Sequence, residues 1–298
     1  MSKPQAVAGS RSLAFRLREV LVLFKLRLAS LVVVSAALGY LMGVAPGAFS
    51  AWELLVLTMA GTLLTGASNA LNQLLEIRED ALMRRTADRP LVKGSLTPAE
   101  AIIAAMAAGT LGIAGLWAAF GPLTGILGFI SLFMYVALYT PLKKHSPWAV
   151  FVGAFPGAFP PMLGYVAATG HFGLGPGLLF AMQFMWQFPH FWAIAWLLHD
   201  DYARAGFRLL PSPGGTDRSS AMMILLYTLF VIPVGMLPWV FGFVGPAAMA
   251  TAVAMGALML WPAWRLFCTG GRSDARRLMF ASFAYLPLVQ LAYVIDRQ

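Results

Sequence analysis

The sequence predicts an all-α, polytopic membrane protein, and three observations carry that prediction. Hydrophobic residues make up 59% of the 298 positions and charged residues only 11%, with a mean hydropathy of +0.75, a balance outside the range of soluble domains. Nine apolar runs each approach the roughly 20 residues that cross a bilayer as a helix. Cations collect in alternate connections between those runs, as the positive-inside rule requires of a helical membrane protein.

In chain order the runs fall at 30–48, 53–75, 100–120, 123–140, 148–168, 176–197, 220–242, 246–263 and 279–294. Residues 1–19 read as an N-terminal cytoplasmic tail. They are basic, contain Ser and are poor in acid, which weakly resembles a mitochondrial transit peptide, yet they run almost directly into the first span. That span is too long for a removable signal peptide and lacks a small-residue cleavage site. A bacterial plasma membrane is the simpler expectation, with residues 1–298 forming a single membrane-embedded domain.

Placing the N-terminus inside sorts the cations. Lys3, Arg11, Arg16, Arg18, Lys25 and Arg27 precede span one, and Arg78, Arg84, Arg85, Arg89 and Lys93 follow span two. Lys143 and Lys144 follow span four, Arg204, Arg208 and Arg218 follow span six, and Arg265, Arg272, Arg276 and Arg277 follow span eight. Of 21 cations only Arg297 falls outside. A net charge of +9 is thus explained by topology and anionic lipid rather than by a nucleic-acid partner, and the C-terminus is expected outside. The single cysteine, Cys268, rules out an intramolecular disulfide and argues against a cysteine-based metal site.

The positive-inside rule does not explain the acids. Two long inner connections, 76–99 and 198–219, each set carboxylates at the end of a span and follow them with arginine and a Leu-Pro or Pro-Leu stop. In the first, Asn72, Glu76 and Asp80 are spaced i, i+4, i+8, so a continuing helix would carry them as one stripe, extended by Arg84. The second begins with His199, Asp200, Asp201, Tyr202 and Arg204. Two facing carboxylate sets suit Mg²⁺, a hard cation that takes oxygen ligands and shares them with substrate phosphates, and the arginine fork suits phosphate oxygens. The plainer reading makes these acids loop ion pairs, but exposed pairs stabilise by only about 0–1 kcal/mol. Glu53 and His190 are the only ionisable side chains well inside or at the edge of a span, which argues against an ion-coupled transporter.

These residues resemble the UbiA superfamily of intramembrane prenyltransferases. Its N-x-x-x-D-x-x-x-D motif is matched by Asn72, Glu76 and Asp80, with Glu in the middle position. The segment MRRTADRPL, Met83–Leu91, is similar to the continuation found in its protoheme IX farnesyltransferase, or heme O synthase, branch. So are Tyr139-Thr140 through Lys143-Lys144, the stretch GAFPGAFPPMLGY from Gly153 to Tyr165, and WQFPHFWAIAW from Trp186 to Trp196. The resemblance implies nine helices around a central cavity open to the bilayer. It also implies transfer of a farnesyl group from farnesyl diphosphate to a vinyl group of heme B, giving heme O, with handover to a heme A synthase or terminal oxidase assembly.

On that resemblance Asn72, Asp80, Arg84 and Lys143 are expected to be catalytic. Arg85, Arg89, Lys144 and Arg204 would bind diphosphate, and Glu76, Asp80 and Asp201, with Asp200 as alternate, would hold Mg²⁺. Glu79 and Asp88 are read as solvated or paired. His190 has two readings, a neutral imidazole bonded to a carbonyl freed by Pro189 or a heme contact beside Trp186. Pro156, Pro160 and Pro161 predict a broken or kinked fifth span. A quinone-pathway prenyltransferase acting on an aromatic acid is the alternative within the superfamily. A transporter or lipid-binding scaffold is the alternative outside it.

Overall fold

The computed structural model describes residues 12–298; Lys3, Arg11 and most of the transit-like segment lie outside the described residues. A short helix, α1 (Leu13–Phe24), leads into α2 (Leu26–Gly43) and α3 (Ala51–Leu75), so residues 13–19 of the expected tail are helical. Two short helices follow, α4 (Ile77–Leu82) and α5 (Pro90–Lys93). Then come α6 (Pro98–Phe120) and α7 (Pro122–Phe133), the latter continuing through a π-helical turn, Met134–Tyr139, into α8 (Thr140–Leu142). The second half of the chain holds α9 (Ala149–Thr169), α10 (Leu174–Leu197), the short α11 (His199–Arg204), α12 (Arg218–Val240), α13 (Pro246–Thr269) and α14 (Arg272–Ile295).

Among the described residues eight helices, counting α7 to α8 as one, are long and apolar enough to cross a membrane. The ninth, α10, has the length but carries Gln183, Gln187 and His190. The first span stops at Gly43 rather than 48, because Ala45-Pro46-Gly47 forms a turn closed by Ala48 N–H to Ala45 O at 3.0 Å. The last begins at Arg272, seven residues before its apolar run, with Arg277 paired to Asp274 in its first turn.

Neighbouring helices pack in sequence order, α2 on α3, α3 on α6, α6 on α7, and α10, α12, α13 and α14 on one another. The two groups join where α9 packs on α2 and α10 and where α14 packs on α2 and α10. Backbones touch where glycine allows it. A Cβ on Gly164 would lie 1.8 Å from Ala36 O and one on Gly39 2.0 Å from Pro161 O, so α2 and α9 cross in direct contact.

The prolines of α9 do not break it. Pro160 and Pro161 lack N–H groups, which frees the carbonyls of Pro156 and Gly157. Gln183 Nε2 on α10 donates to Gly157 O at 2.7 Å, and Ser131 Oγ on α7 donates to Pro156 O at 3.5 Å. Side chains on neighbouring helices thereby satisfy backbone that has no water to turn to, and α9 continues without a break. Ser35 on α2 and Gln290 on α14 complete the network, with Ser35 Oγ and Gln290 Nε2 both donating to Gln183 Oε1, at 2.7 and 2.8 Å.

Candidate active site

The final turns of α3 set up the site. Helix α3 ends at Leu75, and Glu76 caps it at φ −113°, ψ 18° before α4 begins. The i to i+4 bonding survives this break, with Glu76 N–H to Asn72 O at 3.1 Å and Asp80 N–H to Glu76 O at 2.8 Å. Asn72, Glu76 and Asp80 therefore remain successive on one face, and all three are buried, at 3%, 2% and 1% exposure.

A carboxylate this deep needs a partner, and each has one. Glu76 pairs with Lys143 Nζ at 2.6 Å, and Asp80 pairs with Arg89. Lys144 turns to Glu79 at 2.7 Å instead, so the two adjacent lysines serve different acids. Asp88 lies apart, exposed and paired with Lys93. Burial works to raise the Glu79 carboxyl, but the Lys144 ammonium outweighs it and holds the group below the usual range.

The π turn places the remaining groups of this half. Thr140 Oγ1 donates to Tyr135 O, five residues back, at 2.8 Å, and accepts from Asn72 Nδ2 at 3.1 Å. Lys143 follows one turn later, its ammonium 4.8 Å from the Tyr139 ring centre and 5.5 Å from that of Phe207. Extra-wide turns of this kind concentrate at functional sites.

The second half-site is α11. Asp201 Oδ1 accepts the backbone N–H of Arg84 at 3.0 Å, bridging 117 positions of sequence, and pairs with its neighbour Arg204. Burial would raise this carboxyl, but the N–H groups of Arg84 and Arg85 and the Arg204 guanidinium together hold it low. Arg85 lies 6.0 Å from the Tyr202 ring centre. Arg84, expected to act through its side chain, contributes its backbone, and its residue is exposed. Asp200 is also exposed.

Among the described residues no three acids or histidines are gathered closely enough to hold a metal. Glu76, Asp80, Asp201 and Asp200 are thus not brought together as one ligand set, because each buried acid is drawn to a cation of its own. The donor chemistry nevertheless fits a hard cation. Asp80 Oδ1 and Glu79 Oε2 are buried and make no hydrogen bond, an expense that native structures rarely leave without a use.

His190 lies deeper, on α10. Its Nδ1 sits 2.8 Å from Ser282 Oγ on α14, so its partner is a hydroxyl rather than a carbonyl freed by Pro189. Ser282 Oγ itself donates to Met279 O at 2.7 Å, which leaves it to accept from His190 and assigns the imidazole proton to Nδ1. Nε2 then carries the free lone pair. Trp186 stacks on the imidazole at 4.6 Å between ring centres and donates its own N–H to Ser282 O at 2.8 Å.

A family model described as the UbiA prenyltransferase family matches residues 32–285. The chain belongs to that family. Curated relatives match nearly end to end. A protoheme IX farnesyltransferase of Cytophaga hutchinsonii is 45% identical, covering 92% of this chain and 96% of its own, and one of Christiangramia forsetii is 47% identical over 92% and 91%. Among solved structures, one concerning a digeranylgeranylglyceryl phosphate synthase in membranes superposes with a TM-score of 0.77 at 15% identity, covering 94% of this chain and 98% of that one. A UbiA homolog from Archaeoglobus fulgidus, bound to GPP and Mg²⁺, does so at 0.63 and 13% identity, covering 93% and 99%. This UbiA-family chain is a multi-pass membrane prenyltransferase.

Two groups beside the candidate site carry no mark in the sequence. Thr140 lies in the Tyr139–Lys144 motif, yet its bond to Asn72 depends on the π turn, which has no sequence mark. Lys25 was counted only as an inner cation, although its ammonium lies in the field of Arg89, Lys143, Asp80 and Arg85.

Proposed function

We propose that this protein transfers the farnesyl group of farnesyl diphosphate to a vinyl group of heme B, forming heme O and diphosphate for heme-containing terminal oxidases. The carrying observation is the contact between half-sites, Asp201 against the Arg84 backbone, within MRRTADRPL. It supports a diphosphate site closed from both loops by the segment most similar to the heme O synthase branch. The names of the near-full-length relatives support the acceptor.

In this reading the allylic C–O bond breaks and diphosphate leaves with the electron pair. The farnesyl C1 bonds to the terminal vinyl carbon, and water adds to the adjacent carbon, losing a proton. Arg85, Arg89, Lys143 and Lys144 stabilise charge growing on diphosphate, which is the interaction that lowers a barrier most. Asn72, tied to Thr140, fixes the stripe that carries Glu76 and Asp80. Asp201 fixes the loop that carries Arg85 and Arg89, and Arg204 screens it. Asp80 is the residue that would hold Mg²⁺, with its Oδ1 oxygen as the open donor; bound there, the ion would neutralise diphosphate charge. His190 Nε2, held by Ser282 and Trp186, is the group offered to heme iron.

The whole chain acts as one membrane-embedded catalytic domain, with the clamp facing the cytoplasm of a bacterial cell and the C-terminus outside. Heme O passes from it to a heme A synthase or directly to oxidase assembly. The test is to incubate purified protein in bilayers with heme B, farnesyl diphosphate and Mg²⁺ and weigh the porphyrin product. Heme O in a reaction abolished by chelation supports the reading; folded protein with both substrates intact overturns it. His190→Ala should lose the shift of the heme absorption band on binding while still binding farnesyl diphosphate. An unchanged shift would remove His190 from the heme contact.

A further inference from the structure

Lys25 is the one residue between α1 and α2 and the only non-glycine residue with a positive φ among the described residues, at φ 51° and ψ 55°. A side chain in the left-handed region persists only where its surroundings hold it there, and the holders are visible. Gln73 Nε2 donates to Leu23 O at 2.6 Å, and Asn69 Nδ2 donates to Phe24 O at 3.1 Å. The Phe24 ring seats against Gly66, where a Cβ would come within 2.5 Å. Beyond the bend, Leu28 and Ala29 donate back to Lys25 O at 2.8 and 3.0 Å.

The two holders are themselves informative. Asn69 and Gln73 are buried, and each lies three residues before a member of the site stripe, Asn72 and Glu76. Residues three apart are neighbours on a helix surface. Helix α3 therefore presents the diphosphate-facing groups on one stripe and grips the Lys25 bend with the adjacent one.

A topological lysine ordinarily extends its ammonium to water. Lys25 makes no ion pair among the described residues and turns instead toward a cluster where cations already outnumber acids. Burial, then repulsion from Arg89 and Lys143, lowers its pKa to about 7. Among the described residues the field of Asp80 opposes that repulsion only in part; an incoming polyanion would complete the compensation.

We propose that Lys25 is a further substrate-contacting residue whose ammonium takes a diphosphate oxygen, and that Asn69 and Gln73 are positioning residues for it. This rests on the prenyl-transfer reading above. Inorganic diphosphate with Mg²⁺ is titrated calorimetrically into the full-length protein in detergent. A charge-assisted contact predicts binding at least about tenfold weaker for Lys25→Met, with Lys25→Arg within about threefold of the parent. Gln73→Leu should weaken it to an intermediate degree. Lys25→Gly relieves the backbone strain, so it should melt no lower than the parent and still bind weakly. In turnover, Lys25→Met should raise KM for farnesyl diphosphate and leave that for heme unchanged. Parental diphosphate affinity in folded Lys25→Met or Lys25→Gly overturns the proposal. Lys25-dependent diphosphate binding without any prenylated heme would instead overturn the acceptor assignment and leave Lys25 standing.

Discussion

The two acidic loops are alike in sequence and different in depth. Both put carboxylates at a helix end and arginines after them, but the first buries Glu76 and Asp80 almost completely, at 2% and 1% exposure, whereas the second leaves Asp200 exposed and keeps Asp201 less deep, at 9%. The first takes Lys143 from the α8 turn for Glu76 and its own Arg89, farther along the loop, for Asp80, and leaves Asp80 Oδ1 unbonded. The second is closed locally by Arg204 and spends its carboxylate on a backbone N–H of the first. Half-sites that look duplicated thus divide the work. In the proposed reaction the first holds the buried charge that chemistry draws on, and the second latches the loop over it.

That division is most directly broken at Asp80. Asp80→Asn keeps the size and removes the charge at a deeply buried carboxylate with an open oxygen, so turnover should fall by roughly 1,000-fold, near the upper range for a single preorganised electrostatic group. The protein should remain folded, because the Asn oxygen can still accept from Arg89, whose side chain reaches solvent in part. Residual rates within tenfold of the parent would move the reactive charge to the other loop. Asp201→Asn is expected to be milder, roughly 10- to 100-fold, since an amide oxygen still accepts from Arg84. Its distinguishing mark is faster proteolysis across residues 83–89. Equal losses for the two variants, without that cleavage, would abolish the distinction between charge and latch.

Arg84 sharpens the comparison further. If its backbone does the bridging, Arg84→Ala should cost less than about threefold in kcat/KM, below 1 kcal/mol, while Arg89→Ala, which strips the partner from buried Asp80, costs far more. A large loss in Arg84→Ala would return the side chain to the phosphate.

Much of this was readable in advance, and the reasons are physical. Span positions follow from hydropathy because lipid forbids polar surface, and the Asn72, Glu76, Asp80 stripe follows from helical period. Tertiary choices were not readable. Nothing local tells Lys143 to seek Glu76 and Lys144 to seek Glu79; a π turn that widens the helix before them decides it. The break at Glu76 was hidden because the bonding pattern continues through it. The continuity of α9 through its prolines was hidden because the compensating groups, Gln183 and Ser131, stand on other helices. Lys25 was concealed by the very rule that explained the other cations, since positive-inside counting assigns a lysine a side of the membrane but no direction.

The smallest effect belongs to an acid of the second loop that takes no part in the site. Asp217 caps α12, accepting from Ser220 N–H at 2.8 Å through Oδ1 and from Ser212 Oγ at 2.5 Å through Oδ2. These bonds, the Ser212 hydroxyl first, hold its carboxyl below the ordinary range. A carboxyl lowered on folding contributes stability that is fully present above its unfolded pKa, about 3.9, and is lost as pH falls through the folded value. Asp217→Ala should therefore cost about 1 kcal/mol at neutral pH, and thermal unfolding in detergent should show the difference from the parent narrowing between about pH 5 and pH 3. Turnover should hardly change at neutral pH. If Asp217→Ala instead lost activity in step with Asp201→Asn, the latch would extend through the whole loop to α12, and the second half-site would be a lever rather than a local clasp.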